Sequence, residues 1–260
     1  MKKTLIALAV AASAAVSGSA MAWEVNGTGG SVNIGGSLTP AENITPWEVK
    51  TGAAVTGLDA DITKGQSVIN IAVDQAIPVL GIRTHTNQPF QGQPGISPQI
   101  DYEGAVAIDG FVGGVTTLTL EVKGANGAKI GSMSVPFSAA GARAYSHDNI
   151  QAASSRNLYA TAEGQAFFGG LGNSSSAIAS DAKALVTAID ADIVAKYNSW
   201  NLTDVTSSLT DDFKDSVFYS GFYGSGIESG KSIKFTLDSP AQGDAPITWK
   251  ASLPVTVSYQ

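Results

Sequence analysis

His85 and His147 are the only imidazoles in this 260-residue chain, and there is no cysteine. Thiolate zinc sites, thiol nucleophiles and disulfides are therefore excluded. Neither histidine lies in a His-x-His or His-Glu-x-x-His frame, so a zinc hydrolase has no ligand set either. Carboxylates pair at Asp59/Asp61, Asp190/Asp192 and Asp211/Asp212. A calcium loop needs more oxygen ligands and a closing glutamate. Residues two apart on a helix do not share a face, so Asp190 and Asp192 read as solvated acids. Gly221 to Gly230, GFYGSGIESG, is glycine-rich but lacks the following lysine–serine pair and the βαβ frame of a phosphate loop. Gly224-Ser225-Gly226 does not match the Gly-x-Ser-x-Gly nucleophile elbow. The reading is of a protein with no catalytic residue, no metal ligand set and no cofactor.

A different chemistry is open to the aromatic run Phe218, Tyr219, Phe222 and Tyr223, and to Trp200. Its first reading is a core strand beside a turn. Its second is a carbohydrate surface carried by Trp200, Phe222 and Tyr223, because aromatic faces suit the apolar faces of sugars.

Residues 1–22 come before any of these elements and read as an export signal. Lys2 and Lys3 are followed by the apolar run Leu5 to Val16 and by the small-x-small site Ala20-Met21-Ala22. The net charge of −7 becomes −9 once Lys2 and Lys3 are removed. An acidic exported chain is poorly suited to nucleic acid or anionic lipid. Charged residues make up 14% of the chain and glycines number 29, which fits a β-rich extracellular protein rather than an acidic disordered one.

The elements that would position any site are mostly strands. Short strands are expected at Thr45–Lys50, Ser67–Val73, Ile77–Ile82 and Tyr102–Ile108, with a proline-rich loop over 87–98. Leu118, Leu120 and Val122 alternate into Asn126-Gly127, a pair favoured in type I′ turns, and Met133, Val135 and Phe137 return, with Gly131 a bulge candidate. Ile178, Ala182, Leu185, Ile189, Ile193 and Tyr197 recur at spacings of three and four. That pattern predicts one helix of about six turns over 176–200, capped by Ser174, Ser175 or Ser176. Strands resume at Ser216–Tyr223, Lys231–Leu237 and Thr248–Gln260. About nine to eleven strands with turn signals between them describe an all-β sandwich.

The two ends are the most informative. In the last strand Trp249, Ala251, Leu253, Val255, Val257 and Tyr259 share one face. At the other end, Trp23 to Leu38 (WEVNGTGGSVNIGGSL) alternates apolar and polar residues but is interrupted by glycines. Thr28, Gly30, Val32, Ile34, Gly36 and Leu38 share one parity. This segment reads either as the first strand of its own sheet or as a strand donated to a neighbouring copy.

Three stretches carry a family resemblance: MKKTLIALAVAASA with NGTGGSVNIGGSLT, Asp101-Tyr102-Glu103-Gly104-Ala105, and ITWKASLPVTVSYQ. On these the chain resembles the chaperone–usher fimbrial subunits of the K-eighty-eight (F-four) type from enterotoxigenic Escherichia coli. The resemblance implies an incomplete immunoglobulin-like sandwich completed by donor-strand exchange. It implies a signal peptide over 1–22, a donor extension over 23–38, and a pilin domain over 39–260 with a helix-containing insertion around 139–200. Thr28, Gly30, Val32, Ile34, Gly36 and Leu38 would be the donor face. Leu253, Val255, Val257 and Tyr259 would be the tail read by a periplasmic chaperone. The implied partners are other fimbrial subunits, that chaperone, an outer-membrane usher and a host glycoconjugate, and the implied destination is the cell-surface fimbria, reached through the periplasm. Two other roles stay open on sequence: a minor subunit for initiation or elongation, and a free secreted lectin-like sandwich.

Overall fold

The computed structural model describes residues 25, 26, 28, 34–37, 44–151, 154–202, 207–243 and 245–260. The expected signal peptide, and Gly30, Val32 and Leu38 of the expected donor face, lie outside them. Glu42–Gln260 is a compact unit of its own.

Its strands are β1 (Trp47–Thr51), β2 (Val68–Ala72), β3 (Ile77–Thr84), β4 (Phe90–Gln91), β5 (Pro98–Asp101), β6 (Val115–Gly124), β7 (Lys129–Ser146), β8 (Ser154–Leu158), β9 (Ser208–Leu209), β10 (Phe218–Ile227), β11 (Ser232–Leu237), β12 (Trp249–Ala251) and β13 (Thr256–Tyr259). The chain is an all-β sandwich, and β7 explains its shape. The first half of β7 lies between β6 and β11, and its second half lies between β8 and β10. One half of the sheet thus runs β2-β11-β7-β6-β12, and the other runs β1-β3-β10-β7-β8-β9. Both halves feed one core, with Ile71, Leu118, Met133, Phe137 and Phe235 from the first and Leu80, Ile82 and Tyr223 from the second. β5 and β13 pair separately.

The β6–β7 hairpin forms as its alternation predicts, with a different turn. Gly127 has φ of 80°, whereas Asn126 is not among the residues with positive φ, so the loop is not type I′. Gly124 and Ala128 close it through the Gly124 N–H on the Ala128 carbonyl at 2.9 Å, giving the three-residue loop with glycine in the left-handed position. The register shifts after Val122, so Ile130 is the extra residue beside Gly131. A Cβ at Gly131 would stand 2.1 Å from the Thr236 carbonyl oxygen, so this glycine admits the neighbouring strand.

Three expected elements are shorter or absent. Tyr102–Ile108 is no strand, because the chain turns at Glu103 and Gly104, with φ of 50° and 77°. The last strand breaks into β12 and β13 around Pro254, which has no N–H to donate. The expected six-turn helix is one helix, α1 (Ala182–Asp190), followed by a 3-10 turn at Ala191–Val194. Asp181, not a serine, caps α1 by accepting the Ala184 N–H at 2.8 Å. Asp190 then accepts the Asp192 N–H at 3.0 Å, which ends the helix and starts the 3-10 turn. The apolar period survives the break, with Ala182, Val186, Ile189 and Ile193 all buried. Residues 139–146, the expected start of the insertion, are the second half of β7.

Candidate functional site

An apolar groove of about 1100 Å³ opens on one side of the sandwich. Its floor is Ile71 from β2, Leu118 and Leu120 from β6, Met133 from β7, and Ile233 and Phe235 from β11. Ile77–Val79 of β3 and Ile227 of β10 close one side. Strand alternation puts these residues here, since each strand sends every second side chain inward. Trp249 packs edge-on against Phe235 at 5.1 Å between ring centroids and stands at one rim.

The two rims are extended backbone. One is Trp249–Val255, whose side chains Trp249, Ala251, Leu253 and Val255 line the groove and are each only half-buried. β12 pairs with β6 alone and β13 with β5 alone among the described residues, so the outer edge of this rim has no strand beside it. The other rim is Thr51–Ile62, which contributes Val55, Leu58 and Ile62. Among the described residues, no N–H or carbonyl from Ala53 to Ile62 makes a backbone hydrogen bond. Unpaired extended backbone edges of this kind are templates for another chain. An extended segment laid between the rims would meet peptide groups on both sides and apolar depth beneath alternate side chains.

The opposite face of β10 is treated differently. Phe222, Gly224 and Gly226 point away from the groove, and a helical layer covers them. A Cβ at Gly224 would lie 2.5 Å from Val186 Cγ1, one at Gly226 2.7 Å from Ile189 Cγ2, and one at Gly81 of β3 2.7 Å from Ile193 Cγ1. The glycines flatten the sheet so that α1 and the 3-10 turn sit directly on it. The layer is also fastened by charge. Glu48 of β1 accepts from Lys196 and from Arg83 of β3, and Arg83 Nη1 reaches Asp192 Oδ1 at 2.7 Å. Lys50 Nζ meets Asp190 Oδ2 at 2.8 Å. The Lys196 ammonium, and after it the Arg83 guanidinium, hold the Glu48 carboxyl down at about 2 from its usual 4.5.

The residues singled out by sequence fall in several places. Leu253 and Val255 of the expected tail line the groove, while Val257 and Tyr259 lie in β13 against Ile100 and Pro98. Thr28, Ile34 and Gly36 are exposed, Ile34 at 95%, and belong to no strand. The expected carbohydrate surface needs correction. Phe222 and Tyr223 have no solvent exposure, because β10 is covered on both faces. Phe222 packs at 4.9 Å on Tyr197 under the helical layer, and Tyr223 hydrogen-bonds Tyr102 in the core at 2.8 Å. Burial pushes the Tyr102 hydroxyl up to about 12. Trp200 alone of the three is at the surface, half-buried, with its indole N–H on the Asn149 carbonyl at 3.4 Å. His85 and His147 are exposed and have different partners: His85 Nδ1 lies 3.4 Å from Glu48, and His147 rests on Tyr145. No cluster able to hold a metal ion occurs among the described residues. Sequence reasoning missed the Thr51–Ile62 rim, whose small residues give little periodicity. It also missed that Gly224 and Gly226, two apart in GFYGSGI, share one face of β10.

A family model described as fimbrial, major and minor subunit matches residues 1–260. The chain belongs to the K-eighty-eight fimbrial family. Escherichia coli K88 fimbrial protein AB is 34% identical over 289 residues, covering all of both chains. K88 fimbrial protein AC, also of Escherichia coli, is 33% identical over 285 residues with the same full coverage. The F41 fimbrial protein of that organism is 30% identical over 295 residues, again across all of both chains. This K-eighty-eight family member is therefore a fimbrial structural subunit of the cell surface that assembles with other subunits.

Proposed function

We propose that this chain builds an adhesive fimbria by strand donation: residues 28–38 of one copy fill the groove of the next. The observation that carries this reading is the apolar groove with an unpaired backbone edge along each rim among the described residues. Val32–Leu38 is as many residues long as the rim Trp249–Val255, roughly 20 Å of extended chain. Val32, Ile34 and Leu38 would enter the groove, and burying each contributes about 1.5–3 kcal/mol. The glycines between them let donor and rim backbones approach closely. Residues 25–41 carry no charge, so nothing in the donor opposes an apolar bed. Before assembly the same groove and the tail Leu253–Tyr259 would be held by a periplasmic chaperone and delivered to an outer-membrane usher.

The test is polymer formation by the exported chain carrying Ile34→Asp. Loss of polymer, with the monomer still folded, is the expected result. Polymer at the normal rate overturns the reading.

The fibre's grip on a host glycoconjugate would rest on Trp200 with the adjoining loop His147–Gln151, where Asp148 fixes the backbone by accepting from Ile150 N–H at 2.9 Å. Trp200→Ala is expected to abolish glycan binding while fibres still form. The family description spans major and minor subunits. Electron microscopy of cells lacking the gene separates the two: a shaft subunit leaves no fimbriae, a minor one leaves fewer.

A further inference from the structure

We infer that filling the groove and fastening the helical layer are energetically coupled, because β1, β3 and β10 each serve both. This rests on the strand-donation reading of the groove. β1 holds the layer through Glu48 and Lys50 and, one residue on, enters the groove wall at Thr51. β3 lines the groove with Ile77–Val79 and meets the layer at Gly81 and Arg83. In β10, Ile227 faces the groove while its neighbour Gly226 lies under Ile189.

The weak link is the end of β1. Gly52 donates to the Val79 carbonyl at 2.9 Å, and beyond it the described backbone has no partner as far as Ile62. Strands open from such ends, at low free-energy cost. The first ladder positions lost are those of Thr51 and Lys50, opposite Leu80 and Gly81, and Lys50 anchors Asp190. A donated strand pairing with Ala53–Ile62 moves this end into the interior of a ladder. The open state of β1 is then depleted, and with it the state in which the layer is unfastened. By linkage, loosening the layer must weaken donation by the same factor.

The experiment is amide hydrogen exchange on the full chain carrying Ile34→Asp, which cannot donate its own strand, with and without a peptide of residues 23–42 of the natural sequence. Residues 248–258 report groove filling and 182–197 report the layer. The expected result is slowed exchange at both, by about fivefold or more at 182–197. Slowed exchange at 248–258 with none at 182–197 overturns the coupling and leaves strand donation standing. No change at 248–258 overturns both. Asp192→Asn, added to the same chain, removes an exposed anchor outside the groove. It is expected to weaken peptide binding about threefold, and an unchanged affinity counts against the coupling.

Discussion

The outer face of β10 and the groove put the same kind of apolar surface to opposite ends. On the outer face, glycines strip the strand bare and a helical layer fills the space to within van der Waals contact. In the groove, Leu120, Ile71 and Phe235 form the floor beneath about 1100 Å³ that no element of the described chain covers. A close-packed face tolerates no added volume, because interiors are as dense as crystals and strain is transmitted. An open face tolerates volume until something must enter it. Two apolar surfaces of one sandwich can thus be told apart by their response to bulk: one is filled by the chain itself, and on the strand-donation reading the other is filled by association.

The sharpest way to break this contrast is to add volume to each side. Gly226→Val places a Cβ 2.5 Å from the Ile77 carbonyl oxygen and 2.7 Å from Ile189. Its cost is expected at about 3 kcal/mol of subunit stability, a fall of about 6–12 °C in Tm. Ala251→Leu, half-exposed at the groove rim, is expected to change monomer stability by less than about 0.5 kcal/mol yet to stop polymerisation. Urea unfolding and sedimentation of the two variants check both halves. A stable Gly226→Val chain, or an Ala251→Leu chain that polymerises normally, removes the distinction.

Removing volume gives the second test. Leu120 of β6 is half-buried in the groove floor. Leu120→Ala is expected to cost the monomer under about 1 kcal/mol, because solvent already reaches the site. In the polymer the same change leaves a cavity beneath a donated strand and is expected to cost about 2–3 kcal/mol. Comparing unfolding of monomer and dissociation of polymer separates the two. Equal losses in both would mean that the groove floor is already closed in the monomer.

The contrast also marks what the sequence could reveal. Period-two alternation located β6, the first half of β7 and β11, because those strands turn one face to the core and groove and the other toward solvent. It also gave the tail its single apolar face, although Pro254 divides the strand in two. At Phe222 and Tyr223 the sequence left two readings open, a core strand and a carbohydrate surface, and their burial decides for the first. In β10 both faces are buried, so polarity along the strand no longer says which side is outside, and aromatic residues that suit a surface turned out to be core. The helix was legible from its stripe, but its length was not. Asp181 and Asp190 act as caps, and two aspartates inside an apolar period look like ordinary polar positions until their hydrogen bonds are seen. The Thr51–Ile62 rim had no signal of its own: its small residues give little periodicity, and beyond Gly52 no local pairing specifies it.

The smallest expected effect lies in the fastening of the helical layer, and its pH dependence separates charge from packing. Glu48 faces Lys196 and Arg83, with His85 Nδ1 at 3.4 Å on the other carboxylate oxygen. Its pKa in the folded chain is lowered from 4.5 to about 2. A carboxylate depressed in this way stabilises the fold fully above its unfolded value and loses that contribution as pH falls through the folded one. The window is therefore from about pH 4.5 down to about pH 2. Because the network is partly open to solvent, Glu48→Gln is expected to cost only about 1 kcal/mol at pH 7. That difference from the natural chain should shrink across the window and vanish near its lower end, where both side chains are neutral. Leu120→Ala, which removes only apolar volume, should cost the same at pH 7 and pH 3. Urea unfolding of both variants at the two values checks this directly. A Glu48→Gln penalty that does not fall with pH would mean that the layer is held by its seat on the glycines, with the ion pairs contributing nothing that the packing against Gly81, Gly224 and Gly226 does not already provide.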